Sequence, residues 1–110
     1  MSSRFFIALS ILLAAIASII FLWKQALVLS VLLIALALVK RLLLPIAREF
    51  YWYAGLTIGG AIVEILMVNI GRAWSYVTPQ VLNIPLWMPL FWGLVGTTSI
   101  VLYTEISRKT

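Results

Sequence analysis

The feature that most constrains this chain is an alternation of long uncharged runs with short charged breaks. No charged side chain occurs between Phe5 and Trp23, and Lys24 and Gln25 end that run. A second run goes from Ala26 to Val39, with Lys40, Arg41 and Pro45 behind it. A third opens on the aromatics Phe50, Tyr51, Trp52 and Tyr53 and reaches Gly71, with Glu64 as its one charge before Arg72. A fourth lies between Pro85 and Tyr103. A bilayer core about 30 Å thick is crossed by about 20 helical residues, and helices satisfy their own backbone in hydrocarbon. The pattern predicts an all-α polytopic membrane protein, a four-helix transmembrane bundle forming one domain over residues 1–110. Its helices are expected at about 5–23, 26–44, 50–71 and 85–103.

Composition agrees with a membrane environment. Hydrophobic residues make up 65% of the 110 residues and charged residues only 10%, against roughly a quarter charged in an ordinary soluble chain. Lys40 and Arg41 are expected to snorkel, letting the second helix continue to Leu44, where Pro45 disfavours further helix. The aromatics at 50–53 read as an interfacial belt. The stretch 73–83, with Trp74, Tyr76, Pro79 and Gln80, reads as an interfacial loop. The tight break at Lys24 implies an antiparallel hairpin of the first two helices rather than one continuous helix, which would strand Lys24 in hydrocarbon. Arg4 and the Ala15-Ile16-Ala17 triplet imitate a signal peptide, but Ile19 to Trp23 carry the run to full spanning length.

Charge gives orientation. The N-terminus, second loop and tail carry Arg4, Lys40, Arg41, Arg48, Arg108 and Lys109, against Lys24 and Arg72 on the other side. The positive-inside rule therefore places both termini in the cytoplasm, in a bacterial or archaeal cytoplasmic membrane. The net charge of +5 fits anionic lipid headgroups, so membrane lipids are expected partners and nucleic acid is not. The chain has no Cys and no His, and its acids are Glu49, Glu64 and Glu105 alone. That composition argues against thiol chemistry, histidine bases and a multi-carboxylate metal cage, and no cofactor or metal is expected.

Glu64 is the candidate catalytic residue. It sits about 12 Å inside the third helix from its far end at 1.5 Å per residue, where a carboxylate is costly and should face protein. At helical spacing Tyr53, Thr57, Gly60, Glu64, Met67 and Gly71 share one stripe, and Gly55, Gly59, Ile62, Leu66 and Asn69 the opposite one. The third helix is therefore expected at the centre of the bundle. Gly55 and Gly59, spaced as GxxxG, are candidates for close helix packing, as is Gly93 on the fourth helix beside Gly96, Thr97 and Thr98. Ser10, Ala14 and Ser18 offer a small polar face on the first helix. The ligand-binding candidates are Tyr53, Thr57, Gly60, Trp74, Tyr76, Trp87, Trp92 and Thr97. The outer aromatics read either as membrane anchors or as walls of an apolar slot above Glu64.

From Glu64 to Trp92 the chain carries an acid in a helix, then Gly71-x-x-Trp74-x-Tyr76, a loop, and Pro85-x-x-x-Pro89-x-x-Trp92. This string resembles the membrane proteins of carotenoid biosynthesis of the hydratase and lycopene-cyclase-like type. The resemblance covers about a quarter of the chain. It implies that Glu64 acts on or binds a polyene, with Gly71, Trp74, Tyr76, Pro85 and Trp92 around it. It also implies pairing with a second copy or a second subunit. In architecture alone, four helices and one membrane Glu are similar to small multidrug transporters. Three readings follow: a binding protein or enzyme for an isoprenoid-like lipophilic ligand at Glu64, a non-catalytic subunit docking a larger membrane complex, and a dimeric proton-coupled transporter. Whether the chain is an enzyme stays open at this point.

Overall fold

The computed structural model describes residues 2–72, 74–76, 79 and 82–107. These form four α-helices and no strand: α1 (Ser3–Leu22), α2 (Ala26–Leu43), α3 (Glu49–Asn69) and α4 (Met88–Ser107). The molecule measures 40 × 26 × 22 Å, so its long axis equals a bilayer with headgroups, about 40–45 Å. By length and composition α1, α2 and α3 are apolar enough to cross a membrane, and α4 is not.

Local chemistry sets the helix ends. The Ser2 side chain caps α1 by accepting from the Phe5 backbone N–H at 3.2 Å, which satisfies one of the orphan donors of the first turn. The chain turns at Trp23–Gln25, where Lys24 lies over the Trp23 ring at 5.2 Å. α2 stops at Leu43, just ahead of the Leu44–Pro45 pair, because proline disfavours helix in the residue before it. Arg48, in a left-handed conformation (φ 56°), leads into α3. The fourth helix begins three residues later than expected, at Met88, whose N–H donates to the Pro85 carbonyl at 3.1 Å. Pro89 falls within the first turn, where its missing N–H costs nothing, so it delays the helix without kinking it. The helix then runs past Tyr103 to Ser107, making Thr104 to Ser107 helical. Arg108 and Lys109, which enter the charge balance, lie outside the described residues, as do Ala73, Val77, Thr78, Gln80 and Val81 of the third loop.

α4, and not α3, is the hub. It packs against all three other helices, most extensively against α3, whereas α3 leans chiefly on α4. The apolar core joins Ala8, Ile11 and Ala15 of α1, Leu29 and Leu33 of α2, and Leu94 and Val101 of α4, with Leu44 and Trp87. α3 contributes no side chain to that cluster. It docks through glycines instead. A Cβ at Gly60 would collide with Trp92, one at Gly93 with Thr57 and Tyr53, and one at Gly96 with Leu56. Gly55 and Gly59, the GxxxG pair, meet nothing within 4 Å. The close approach thus uses Gly60, Gly93 and Gly96, and the GxxxG face points away from the protein. The polar face expected on α1 also points outward: Ser10 and Ala14 are exposed, and Ser10 and Ser18 donate back to the Phe6 and Ala14 carbonyls.

The outer surface of the bundle is apolar. Phe21 and Leu42 are each 81% exposed and Leu27 72%. Apolar exposure on this scale marks a surface that meets lipid or another protein. The charges gather at the two ends. Lys40 does not snorkel. Its side chain is wholly buried, and its ammonium donates to Glu49 at 2.9 Å across the Pro45 turn. The same Glu49 oxygen accepts the Ile46 N–H at 3.1 Å. At this end too, Ser2 donates to Glu105, and the Arg4 guanidinium lies 3.3 Å from the same carboxylate. The N-terminus of α1 and the C-terminus of α4 are therefore tied together.

A buried ion pair tolerates loss of both charges far better than loss of one. Glu49→Gln leaves the Lys40 ammonium unpaired and should cost about 3–5 kcal/mol. Thermal unfolding in micelles followed by circular dichroism checks this. The double variant Lys40→Met/Glu49→Leu should recover most of the loss. A single variant as mild as a surface change such as Arg41→Gln would contradict a buried pair.

Candidate functional site

Glu64 lies on the face of α3 that meets α4, and it is 6% exposed. Its burial follows from helical spacing: Gly60, Glu64 and Val68 are the buried residues of this part of α3. The predicted stripe is right through Glu64 and then departs, since Val68 takes the inward position while Met67 and Gly71 are exposed. Gly60, one turn before the acid, admits Trp92 against the helix backbone. This approach brings the Trp92 indole N–H to Glu64 Oε1 at 3.2 Å.

The third loop supplies the other contacts. The Tyr76 hydroxyl donates to Glu64 Oε2 at 2.7 Å, and the Trp74 indole N–H donates to the same oxygen at 3.1 Å. Trp74 also lies within hydrogen-bond distance of the Tyr76 hydroxyl, at 3.2 Å. An ionised carboxylate accepts at about four lone-pair positions. Among the described residues three aromatic donors thus occupy most of this capacity, two on Oε2 and one on Oε1. No cation takes part. Arg72 is exposed, and the ion pairs among the described residues are Arg4–Glu105 and Lys40–Glu49.

The loop is fastened just beyond the site. Asn69, at the end of α3, donates to the Leu82 carbonyl at 2.9 Å and accepts from the Asn83 side-chain amide. Leu82 and Asn83 are both left-handed, at φ 46° and 68°. Asn tolerates that region well and Leu does not, so the Asn69 bonds offset a local cost of roughly 1–2 kcal/mol. A cavity of about 460 Å³ opens beside the acid, lined by Val68, Arg72, Trp74, Tyr76, Pro79 and Asn83 among others. Trp74 and Tyr76 belong both to this cavity and to the hydrogen-bond set of Glu64.

Of the residues singled out by sequence, Glu64, Gly60, Trp74, Tyr76 and Trp92 come together. The remaining ligand candidates go elsewhere. Trp87 is buried in the apolar core, and its indole N–H reaches no partner among the described residues. Thr97 turns onto its own helix, its hydroxyl 2.9 Å from the Gly93 carbonyl and 3.3 Å from that of Leu94. Thr57 packs against Gly93 with Tyr53, whose hydroxyl is 3.4 Å from the Leu90 carbonyl. These three lie nearer the opposite end of α3–α4, and their small or hydroxylated character serves close packing. The sequence reading missed Lys40–Glu49 and the Ser2–Arg4–Glu105 cluster. Opposite charges flanking the Pro45 turn were the available signal for the first. Nothing local links Ser2 to Glu105, which are far apart in the chain. Among the described residues no three potential metal ligands gather.

No protein-family model matches the chain, no curated protein matches its sequence, and no solved structure matches its fold.

Tyr76 carries the site's pH dependence outside the helices. Burial, together with its hydrogen bond to the Glu64 carboxylate, pushes its hydroxyl up to about 12. A tyrosine raised in the folded state contributes stability that is complete below its ordinary value near 10 and is lost as pH climbs toward 12. The stability difference between wild type and Tyr76→Phe should therefore hold steady at neutral pH and shrink between pH 10 and about 12. Denaturation series at stepped pH check it. A difference that grows over that interval would contradict the geometry.

Proposed function

We propose that the chain is an integral membrane protein that crosses the bilayer four times and binds a lipophilic, isoprenoid-like ligand at the Glu64 end. The crossing number is supported by the position of α4. Its Gly93, Thr97 and Thr98 are buried against other helices, so it does not need the hydropathy that lipid demands of α1, α2 and α3. The uneven distribution of Lys and Arg supports termini on the cytoplasmic side of a bacterial or archaeal membrane.

The observation that carries the binding reading is the surroundings of Glu64. A buried carboxylate is held, among the described residues, by three aromatic donors, and an adjoining cavity shares two of those aromatics. Such a site suits a ligand with a long apolar body and one hydroxyl, because the aromatics supply apolar surface and the carboxylate fixes one polar atom. The same surroundings favour binding over catalysis. The titratable group that touches Glu64 is Tyr76, whose hydroxyl is pushed up to about 12, far from the neutral range in which a catalytic acid or base works best. Glu49 and Glu105 are engaged at the far end of the bundle with Lys40 and with Ser2 and Arg4. The resemblance of residues 64–92 to carotenoid-biosynthesis membrane proteins points to the same ligand class. A carrier acid shared across a transporter dimer would face the partner, whereas Glu64 faces α4.

One observation favours a second reading, a subunit docking a larger membrane complex. The Gly55–Gly59 face of α3 is bare, with Ile62 and Leu66 exposed along it. Native mass spectrometry of the detergent-purified protein separates the two. A copurifying prenyl or polyene compound that disappears in Glu64→Gln is the expected result. Wild type and Glu64→Gln that are equally empty, with a protein partner lost in Gly59→Leu, would replace the ligand reading by the docking one.

A further inference from the structure

The chain has a second apolar recess far from Glu64. α2 and α3 follow each other in sequence and yet make no extended contact, since both rest on α4. The cleft between them has a volume of about 390 Å³. It is lined by Ile34, Leu38 and Arg41 of α2 and by Glu49, Phe50 and Tyr53 of α3. Glu49 and Glu64 are fifteen residues apart on one helix (64 − 49), or about 22 Å at 1.5 Å per residue. The cleft is therefore a separate site.

Its size limits the occupant. From Ile34 to Arg41 the cleft follows α2 for about 10 Å. A single extended hydrocarbon chain is thin enough. Charge limits the occupant further. Glu49 is neutralised by Lys40 at 2.9 Å, while Arg41 is exposed and no described carboxylate pairs with it. The charged part of the lining is thus net positive through Arg41, and the rest of it is apolar. A guanidinium matches the oxygens of a phosphate with two parallel donors. Anionic lipids are the surface charge of the cytoplasmic leaflet, the side to which the excess of Lys and Arg assigns this end.

We propose that the α2–α3 cleft is a lateral lipid site that seats one acyl chain of an anionic phospholipid, with Arg41 on its phosphate. The lipid enters sideways from the bilayer and fills the space that α2 and α3 leave open in front of α4. The site rests on the membrane reading and is independent of any ligand at Glu64.

The test is native mass spectrometry of delipidated protein titrated with phosphatidylglycerol and with phosphatidylcholine of identical chains. Wild type should bind one phosphatidylglycerol per protomer roughly fivefold or more tightly than phosphatidylcholine, the discrimination one interfacial Arg supplies. Arg41→Gln should abolish that preference. Leu38→Trp, which starts from an exposed side chain and narrows the cleft, should weaken both lipids. Lys24→Gln removes an equal charge from the other end and should change nothing. Equal affinity for the two lipids in wild type would overturn the proposal, as would an equal loss in Lys24→Gln and Arg41→Gln. A lipid-free dimer that Leu38→Trp dissociates would overturn it too, and would assign the cleft to a second copy.

Discussion

In the membrane reading proposed here, the constraint on which the rest of this structure depends is the need to surround α4, which is less apolar than the other three helices. α4 carries Gly93, Gly96, Thr97, Thr98 and Glu105 along its length. Alone in hydrocarbon those groups would be costly, since a bilayer core offers no hydrogen-bond partners. The fold places them against protein. α1 and α2 cover α4 with aliphatic side chains, and α3 covers it by glycine contacts close enough for backbones to approach. The three covering helices turn their apolar residues outward. Helix packing in a bilayer gains little from the hydrophobic effect and much from close contact between small residues. The α3–α4 interface, the most extensive in the molecule, is built in that way.

The three acids divide according to the same constraint. Glu49 opens α3, where the helix dipole favours an anion, and Lys40 closes α2, where it favours a cation. Their pair can be buried because it lies near an end of the bundle and has a backbone donor as well. Glu105 holds Ser2 and Arg4, and so fixes α1 to α4 at that same end. Glu64 is different. It lies inside the covered stretch, without a cation, and its partners are indole N–H groups and a phenol. Those partners connect α3 to α4 through Trp92 and α3 to the third loop through Trp74 and Tyr76. The acid therefore holds the far end of the bundle together, whatever it also binds.

Much of this was legible in the sequence, and the misses have physical causes. Helix positions follow from uncharged runs and from Pro45 and Pro85, because proline and charge act locally. The grouping of Glu64 with Trp74, Tyr76 and Trp92 was legible because one acid in an apolar run must find donors, and these aromatics lie on the loop and helix that follow it. Trp87 was misread because an aromatic at a bundle end looks the same on a ligand wall and in the core. The central helix was misassigned for a related reason. The stripes on α3 suggested two packed faces, but one of them, bearing Gly55 and Gly59, is bare within the chain. The lower hydropathy of α4 was the better signal, since a helix that is shielded from lipid has no need to be apolar all round.

The most direct test of a protein-wrapped α4 is photolabelling from the lipid phase in reconstituted bilayers, with a membrane-soluble carbene reagent and peptide mass spectrometry. Heavy labelling is expected at the outward residues of α1, α2 and α3, such as Leu13, Leu27 and Ile62, which are 58%, 72% and 53% exposed. Gly93, Leu94, Thr97, Thr98 and Val101 of α4 should be nearly unlabelled, and any labelling of this helix should fall on its exposed side, at Ser99 and Tyr103. Labelling of Leu94 and Val101 as heavy as that of Leu13 would show α4 facing lipid, and would contradict the arrangement on which the covered Glu64 site depends.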